Sequence, residues 1–345
     1  MTTYDHEDLG PVLELARRGD ADAFGELANR HRVRLYRHCY RMLGSGAEAE
    51  EAVQDTLLRA WQRLDTYDGH GSFPGWMYRI ATNMCIDRLR GRKRRLHPVS
   101  LGPPAESGSM PQSPDPGIDW VEPVSDQSIG FGGEPELSAL TRERVSLAFV
   151  AALQQLSARQ RAALLLHDVL DFSHDEVAEV LDTSSSAVNS LLFRAREVIS
   201  ASPMISNADP DDPAVKALLS RYMRAWELAD VSEFIATVSE DVRLSMPPLT
   251  TWYRGVDDVA AFVEAAIFAP SRPHGVTMIL GRANGQPAVA TYAPGPDGSL
   301  MVDGLQVLDI SKNRSAIAAI TSFRSPDLAL ICGFAPTVVT SSREW

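Results

Sequence analysis

The stretch Ser157–Ile199, SARQRAALLLHDVLDFSHDEVAEVLDTSSSAVNSLLFRAREVI, decides the reading of this chain. It divides into three helices broken at two places. The first runs from about Ala158 to Val169 and opens on Ser157-x-x-Gln160, a spacing that lets each side chain satisfy the other residue's backbone N–H. The second follows Ser173-x-x-Glu176, the same device again, and sets Val177, Ala178 and Leu181 at helical spacing. After the turn Asp182-Thr183-Ser184 a third helix carries Val188, Leu191 and Leu192 on one face. A helix-turn-helix needs a small residue where its helices cross, here Ala178. Four residues on it needs one that tolerates left-handed backbone, here Asp182, and six further a β-branched core residue, here Val188. Ser185, Ser186, Asn189 and Ser190 are then left outward to enter a major groove, with Arg194 and Arg196 placed for phosphates. The plainer alternative is a three-helix bundle with a polar outer face. The turn spacing, matched at three positions, favours DNA binding.

At 345 residues the chain has room for two or three domains, and 44% hydrophobic residues supply their cores. No apolar run reaches the roughly 20 residues of a membrane span. The start, MTTYDHEDLG, is acidic and unlike a signal peptide. Cys39, Cys85 and Cys332 lack metal-ligand spacing and sit in apolar patterns, as buried thiols of a reducing cytoplasm do. The expectation is a cytoplasmic protein without a cofactor or metal. A net charge of −12 looks wrong for a DNA binder until it is divided: residues 1–95 carry +2, 96–136 carry −7, 137–200 carry −2 and the remainder −5.

From Val12 to Trp61 the apolar pattern is helical, with Phe24, Leu27, Val33, Leu35 and Tyr36, then Ala52, Val53, Leu57 and Leu58. Gly44-Ser45-Gly46 breaks the run, so the next helix packs back on its predecessor. That helix has a polar face bearing Glu48, Glu51, Gln54 and Asp55, which on composition alone is merely solvated. A loop from Asp65 to Ser72 leads to a helix opened by Pro74, with Trp76, Ile80, Ala81 and Ile86 inward. From Arg79 to Arg95 seven basic residues face Asp87 alone, which suits phosphates and single strands; the bland alternative is a solvated basic helix end. Residues 96–136 are rich in Pro, Gly and Ser, purely acidic and aperiodic, the composition of a flexible linker.

Residues 201–211 form a second linker, and Asp212-Pro213 opens a helix through Ala229 with Leu218, Leu219, Tyr222 and Trp226 on one stripe. Asp230-x-x-Glu233 caps another. Strands follow near Val242–Met246, Val276–Gly281, Ala288–Tyr292, Met301–Ile310 and Ala316–Phe323, with a helix over Val256–Ile267. Helices followed by a curved antiparallel sheet make an α+β unit able to hold a pocket.

AEEAVQDTLLRAW, FPGWMYRIATNMCIDRLR, LSARQRAALLLHDVLDFSHDEVAEVL and AVNSLLFRAR stand in the order and distances of one family. By them the first 200 positions resemble an extracytoplasmic-function sigma factor of bacterial RNA polymerase. The resemblance implies two all-α domains, region 2 over 1–95 and the region 4 helix-turn-helix over 137–200. It implies that Glu51, Gln54 and Asp55 grip the polymerase clamp. Asp65, Tyr67, His70, Asn83, Arg88 and Arg90 then match the part that melts and reads the minus-ten element, and the last helix reads the minus-thirty-five element. The 96–136 linker would thread the RNA exit channel. Asp171 and Asp182 stand where the family often has glycine, and serines replace frequent basic residues on the recognition helix, which implies modest minus-thirty-five affinity.

MPPLTTWYRG, HGVTMILGRANGQPAVATYAP and Gly304-Leu-Gln-Val-Leu308 make residues 212–336 resemble the cone-shaped SnoaL-like fold, related to nuclear transport factor 2 and appended to a subset of these factors. Trp120-Val-Glu-Pro123 also matches that subset. Trp226, Trp252 and Tyr253 are the candidate pocket residues. The implied partners are core RNA polymerase, through its beta-prime clamp and beta flap, and promoter DNA. An anti-sigma factor or a small-molecule ligand of the third domain are further candidates, and no membrane is among them. The leading function is promoter recognition without covalent chemistry, modulated in cis by the third domain. The alternative is an isomerase, cyclase or hydrolase in that domain, using Asp241, Asp257 or Asp303 with Tyr253, although strand-end carboxylates are ordinarily solvated. An ordinary repressor would leave the polar clamp-like face and the separate basic helix unexplained.

Overall fold

The computed structural model describes residues 10–67, 72–106, 108–131, 144–201, 208, 210–269, 276–295 and 299–338. Two compact units share the chain. One takes the residues up to Arg95 together with 128–130 and 150–203; the other takes 96–127, 131–149 and the residues from 204 onward.

In the first unit α1 (Gly10–Arg17), α2 (Ala21–Leu43), α3 (Gly46–Gln62) and α4 (Phe73–Leu89) come first, and each break has a local cause. Asp20 Oδ1 accepts the N–H groups of Asp22 and Ala23 at 3.0 and 3.1 Å and starts α2. Gly44 ends it at φ +74°, a backbone that a side chain resists. Ser72 Oγ accepts the Gly75 N–H at 3.1 Å and caps α4, whose first turn holds Pro74. Leu27, Leu35, Tyr40, Val53, Met77 and Cys85 fill the core, whereas Val33 and Leu58, members of the apolar pattern, lie exposed.

The later helices are α5 (Leu147–Gln154), which joins this unit from Val150 on, α6 (Ala158–Leu164) with a wider turn over Leu165–Val169, α7 (His174–Val180) and α8 (Ser185–Ala201). Both anticipated capping boxes form: Ser157 N–H meets Gln160 Oε1 at 2.9 Å and Ser173 N–H meets Glu176 Oε2 at 2.7 Å, each reciprocated. Asp182 adopts φ +47° and Val188 is wholly buried, as the helix-turn-helix spacing requires. Arg161, buried on α6, donates to the carbonyls of Leu153, Leu156 and Met42 and to the Gln154 amide oxygen. Gln154 in turn donates to the Arg41 carbonyl at 3.2 Å. The unmet carbonyls at the end of α2 are thus satisfied from α5 and α6.

The second unit contains α9 (Pro213–Leu228), α10 (Val231–Ile235), β1 (Val238–Ser245), β2 (Trp252–Arg254), α11 (Val256–Phe262), β3 (Thr277–Ala283), β4 (Gln286–Pro294), β5 (Leu300–Ile310), β6 (Ile317–Phe323), α12 (Pro326–Ile331) and β7 (Thr337–Val338). β2, α12 and β7 carry too few patterned residues to be seen in sequence. The sheet runs β2-β1-β6-β5-β4-β3 with β7 beside β5. It is mixed rather than antiparallel throughout, because β1 and β6 pair in parallel with Ser245 opposite Thr321. No hairpin joins these two strands; the chain forms four others, β2 to β5, before β6 returns to β1. On one face Val242, Leu244, Leu308 and Ile320 pack on Tyr222 and Phe234 of the helices. Every residue from Gln286 to Ala290 and from Gly304 to Ile310 is buried, so the other face is covered as well.

The acidic stretch read as a flexible linker differs most from expectation. Residues 96–127 group with the second unit, where Pro98, Val121, Pro123 and Val124 are buried, while residues 107 and 132–136 of the stretch lie outside the described residues. Its prolines and charges prevent helix formation, but they leave an extended backbone whose N–H and C=O groups the domain satisfies. Of the second linker, residues 202–207 and 209 lie outside the described residues, while Asp211 pairs with Lys216 and Arg282.

Candidate nucleic-acid interface

The antiparallel return of α3 on α2, and of α4 on α3, lays the acidic face of α3 against the basic end of α4. Glu51 and Gln54 are exposed and Asp55 is half-exposed. Arg88, whose side chain keeps 20% exposure, donates to Glu51 Oε2 at 2.9 Å and to Asp55 Oδ2 at 2.5 Å. Burial works against its charge, but those two carboxylates outweigh it and raise its pKa above the usual arginine value. Next to this pair, Glu48 accepts from Arg92 at 2.8 Å and from Arg95 at 3.1 Å. Arg88, Arg92 and Arg95 of the basic run are thereby paired with carboxylates of α3, while Arg92 stays exposed. Arg88 is an organiser of the acidic face, a role that sequence reasoning missed.

The expected minus-ten residues separate into three groups. Asp65 and Asn83 are exposed, and Arg90 is exposed with an Asp87 partner at 3.2 Å. Tyr67 is buried, its ring 5.6 Å from both Phe73 and Trp76, so it belongs to the core of the loop base instead of the outer surface. Three aromatic rings offered each other more contact area than water did. His70 lies outside the described residues.

On the helix-turn-helix, Ser186, Asn189, Ser190 and Arg194 share the exposed side of α8. Ser185 is half-buried and donates to Asp175 Oδ1 at 2.5 Å, which ties the start of α8 to α7. Arg196, expected at a phosphate, forks onto both oxygens of Asp168 at 3.0 and 2.6 Å. The same outer side bears Phe193 at 72% exposure, four residues beyond Asn189, a spacing that was the available signal for it.

The three candidate pocket residues do not line one open cavity. Trp226 packs with Tyr222, Phe234 and Phe268 in the core. Trp252 is buried and donates its indole N–H to Gly102 O at 3.0 Å. Tyr253 stacks on Phe262 and gives its hydroxyl proton to Ser109 O at 2.7 Å. Asp241, Asp257 and Asp303 are all exposed and sit on β1, α11 and β5. Buried charge lies elsewhere: burial raises Asp309 from 3.8 to about 6, against the opposing pull of Arg243 and Gln286. Among the described residues no helix is long and apolar enough to cross a membrane.

Residues 27–95 match the family model Sigma-70 region 2 and residues 146–199 match Sigma-70, region 4. The chain is 41% identical over 305 residues to the ECF RNA polymerase sigma factor SigG of Mycobacterium tuberculosis, covering 86% of this chain and 80% of that one. It is 28% identical over 239 residues to SigJ of the same species, across 67% and 69% of the two chains. The crystal structure of SigJ superposes with a TM-score of 0.59 at 22% identity, covering 90% of this chain and 99% of that one.

Proposed function

The chain belongs to the extracytoplasmic-function sigma factors of RNA polymerase and directs promoter-specific initiation, and from that premise we propose that its third domain is SnoaL-like and how its surfaces divide the work. The exposed carboxylates and amide of Glu51, Gln54 and Asp55 meet the polymerase clamp, with Arg88 holding Glu51 and Asp55 in place. Asn83, Arg90 and Asp65 face the minus-ten element. Ser186, Asn189, Ser190 and Arg194 enter the major groove of the minus-thirty-five element, Asn189 at a base edge and Arg194 at a phosphate. Ser185 and Arg196 serve the helix-turn-helix itself, through Asp175 and Asp168.

One observation carries this reading. The left-handed Asp182 and the buried Val188 set α8 so that its polar residues share one exposed side. Base capture then needs no covalent step, and unstacking a base, a cost of a few kcal/mol, is offset by phosphate contacts and a receiving surface. The third domain modulates this activity in cis and is not an enzyme. Supporting that, the Tyr253 hydroxyl is spent on Ser109, and the three aspartates that would serve as general bases are solvated. Run-off transcription with core polymerase on a pool of promoters tests the proposal. Promoter-selective transcripts that lose upstream selectivity in Asn189→Ala support it, and selectivity unchanged by that substitution rejects the assignment of α8.

A further inference from the structure

Two histidines of the first unit stand ring to ring beside the helix-turn-helix and take no part in the surfaces described above. His167 lies in the wider turn that ends α6, and His174 is the first residue of α7, directly after the Ser173 cap. Their ring centroids are 4.4 Å apart, with the planes tilted by 41°. Both are half-buried, so the rings remain within reach of solvent.

The backbone between them is already fixed. The Phe172 N–H donates to Leu166 O at 3.0 Å and the Leu170 N–H to Leu165 O at 3.1 Å, while Asp171 takes left-handed backbone at φ +57°. His167 Nδ1 lies 2.7 Å from Phe172 O. A carbonyl oxygen only accepts, so Nδ1 carries the hydrogen and the neutral ring keeps its lone pair on Nε2. Metal-bound imidazoles are oriented in this way, the second nitrogen donating to a backbone carbonyl or a carboxylate. Among the described residues no hydrogen bond holds the His174 ring, which leaves it free to turn a nitrogen toward the same point.

Ring spacing selects the class of ion. With a metal–nitrogen bond of about 2.0–2.1 Å, two ring centres are about 4.5 Å apart at a right angle and about 5.2 Å apart at the tetrahedral angle. The observed 4.4 Å matches the right angle, which belongs to tetragonal or octahedral ions such as Ni²⁺ and Cu²⁺ and not to tetrahedral Zn²⁺. No cluster of three or more histidine, cysteine or acidic side chains able to hold a metal exists among the described residues, so water fills the other positions. The Asp168 carboxylate is 3.9 Å from His167 Nε2 and is engaged by Arg196 at 2.6 Å; it lends charge to the site without serving as a ligand.

We propose that His167 and His174 form a two-histidine site for a late first-row divalent cation of the nickel or copper class, which ties the turn after α6 to the start of α7. The ion favours the folded helix-turn-helix over the unfolded chain, where nothing holds the two rings together.

Equilibrium dialysis of the full chain, without a polyhistidine tag, against nickel chloride tests the site. One equivalent of Ni²⁺ is expected to bind, and more tightly than Zn²⁺. His167→Gln and His174→Gln should each weaken that binding by at least about tenfold while keeping the parent's circular dichroism. At about a hundredfold excess over its Kd, Ni²⁺ should raise the melting temperature of the parent by about 5 °C or more and leave that of His174→Gln in place. No uptake by the parent would overturn the site, and uptake unchanged in either folded variant would overturn it equally, since the ion is then held elsewhere. Tighter binding of Zn²⁺ than of Ni²⁺ would overturn the right-angle geometry, and an unmoved melting temperature in the parent would overturn the tie between α6 and α7.

Discussion

Arg161→Met removes a buried cation that joins α6 to the end of α2 while keeping an unbranched chain of similar length. The guanidinium is 2% exposed and donates to Gln154 Oε1 at 2.6 Å, Leu153 O at 2.8 Å and Leu156 O at 3.2 Å, besides Met42 O. Burial lowers its pKa to about 9, so it remains a cation at neutral pH. Two terms oppose each other. Each charge-assisted bond contributes about 1.5–3 kcal/mol, and the carbonyls left behind cost about 1–3 kcal/mol apiece where water cannot reach them. Against this, the desolvation of the cation, several kcal/mol, is no longer required. The balance is a loss of about 3 kcal/mol, toward the lower end of what removing one partner of a buried charged contact costs. Urea unfolding followed by circular dichroism measures it, with Arg161→Lys expected to fall between the two because it keeps the charge but loses the fork. A methionine variant within 0.5 kcal/mol of the parent would refute the reasoning, since α2 would then need no donor from α6.

Other substitutions separate structural from recognition roles. Arg88→Ala should cost about 1 kcal/mol of stability and weaken core-polymerase binding, because Glu51 and Asp55 lose their shared partner. A fall of about one in the salt slope of promoter binding, read by titration at several salt concentrations, would instead place Arg88 on a phosphate. Arg194→Ala should weaken all promoters alike and lower that slope by about one, while Asn189→Ala should relax upstream preference alone, both seen in competition binding. Asp309 supplies a pH test. Its folded pKa is raised from 3.8 to about 6, so the native state holds a proton that the unfolded chain has lost across that window. Stability from this group is therefore greatest in acid and falls as pH rises through it. Asp309→Asn should gain on the parent by about 2 kcal/mol between pH 4 and pH 7, measured by urea unfolding at each pH.

Where a signal spans a few residues, the sequence was sufficient. The two capping boxes, the Gly44 stop and the left-handed Asp182 each depend on atoms within a turn of one another, and all form as their spacing implies. The polar side of α8 follows from helical periodicity once Val188 is fixed as core. What tertiary structure decided is where polar groups find partners far along the chain. Arg88 meets Glu51 across 37 residues, and Val124 meets Asn284 across 160. Composition sees in the first a solvated basic end and in the second a disordered linker next to a hairpin turn. Tyr67 likewise has the chemistry of a base-stacking residue until Phe73 and Trp76 bury it. The parallel pairing of β1 with β6 is invisible to strand patterns, because alternation fixes which face a residue takes and not which neighbour its strand finds. A charged or polar side chain carries no local record of its partner. Its role is set by which backbone the fold returns to it, and the free energy that selects that return is spread over the whole core.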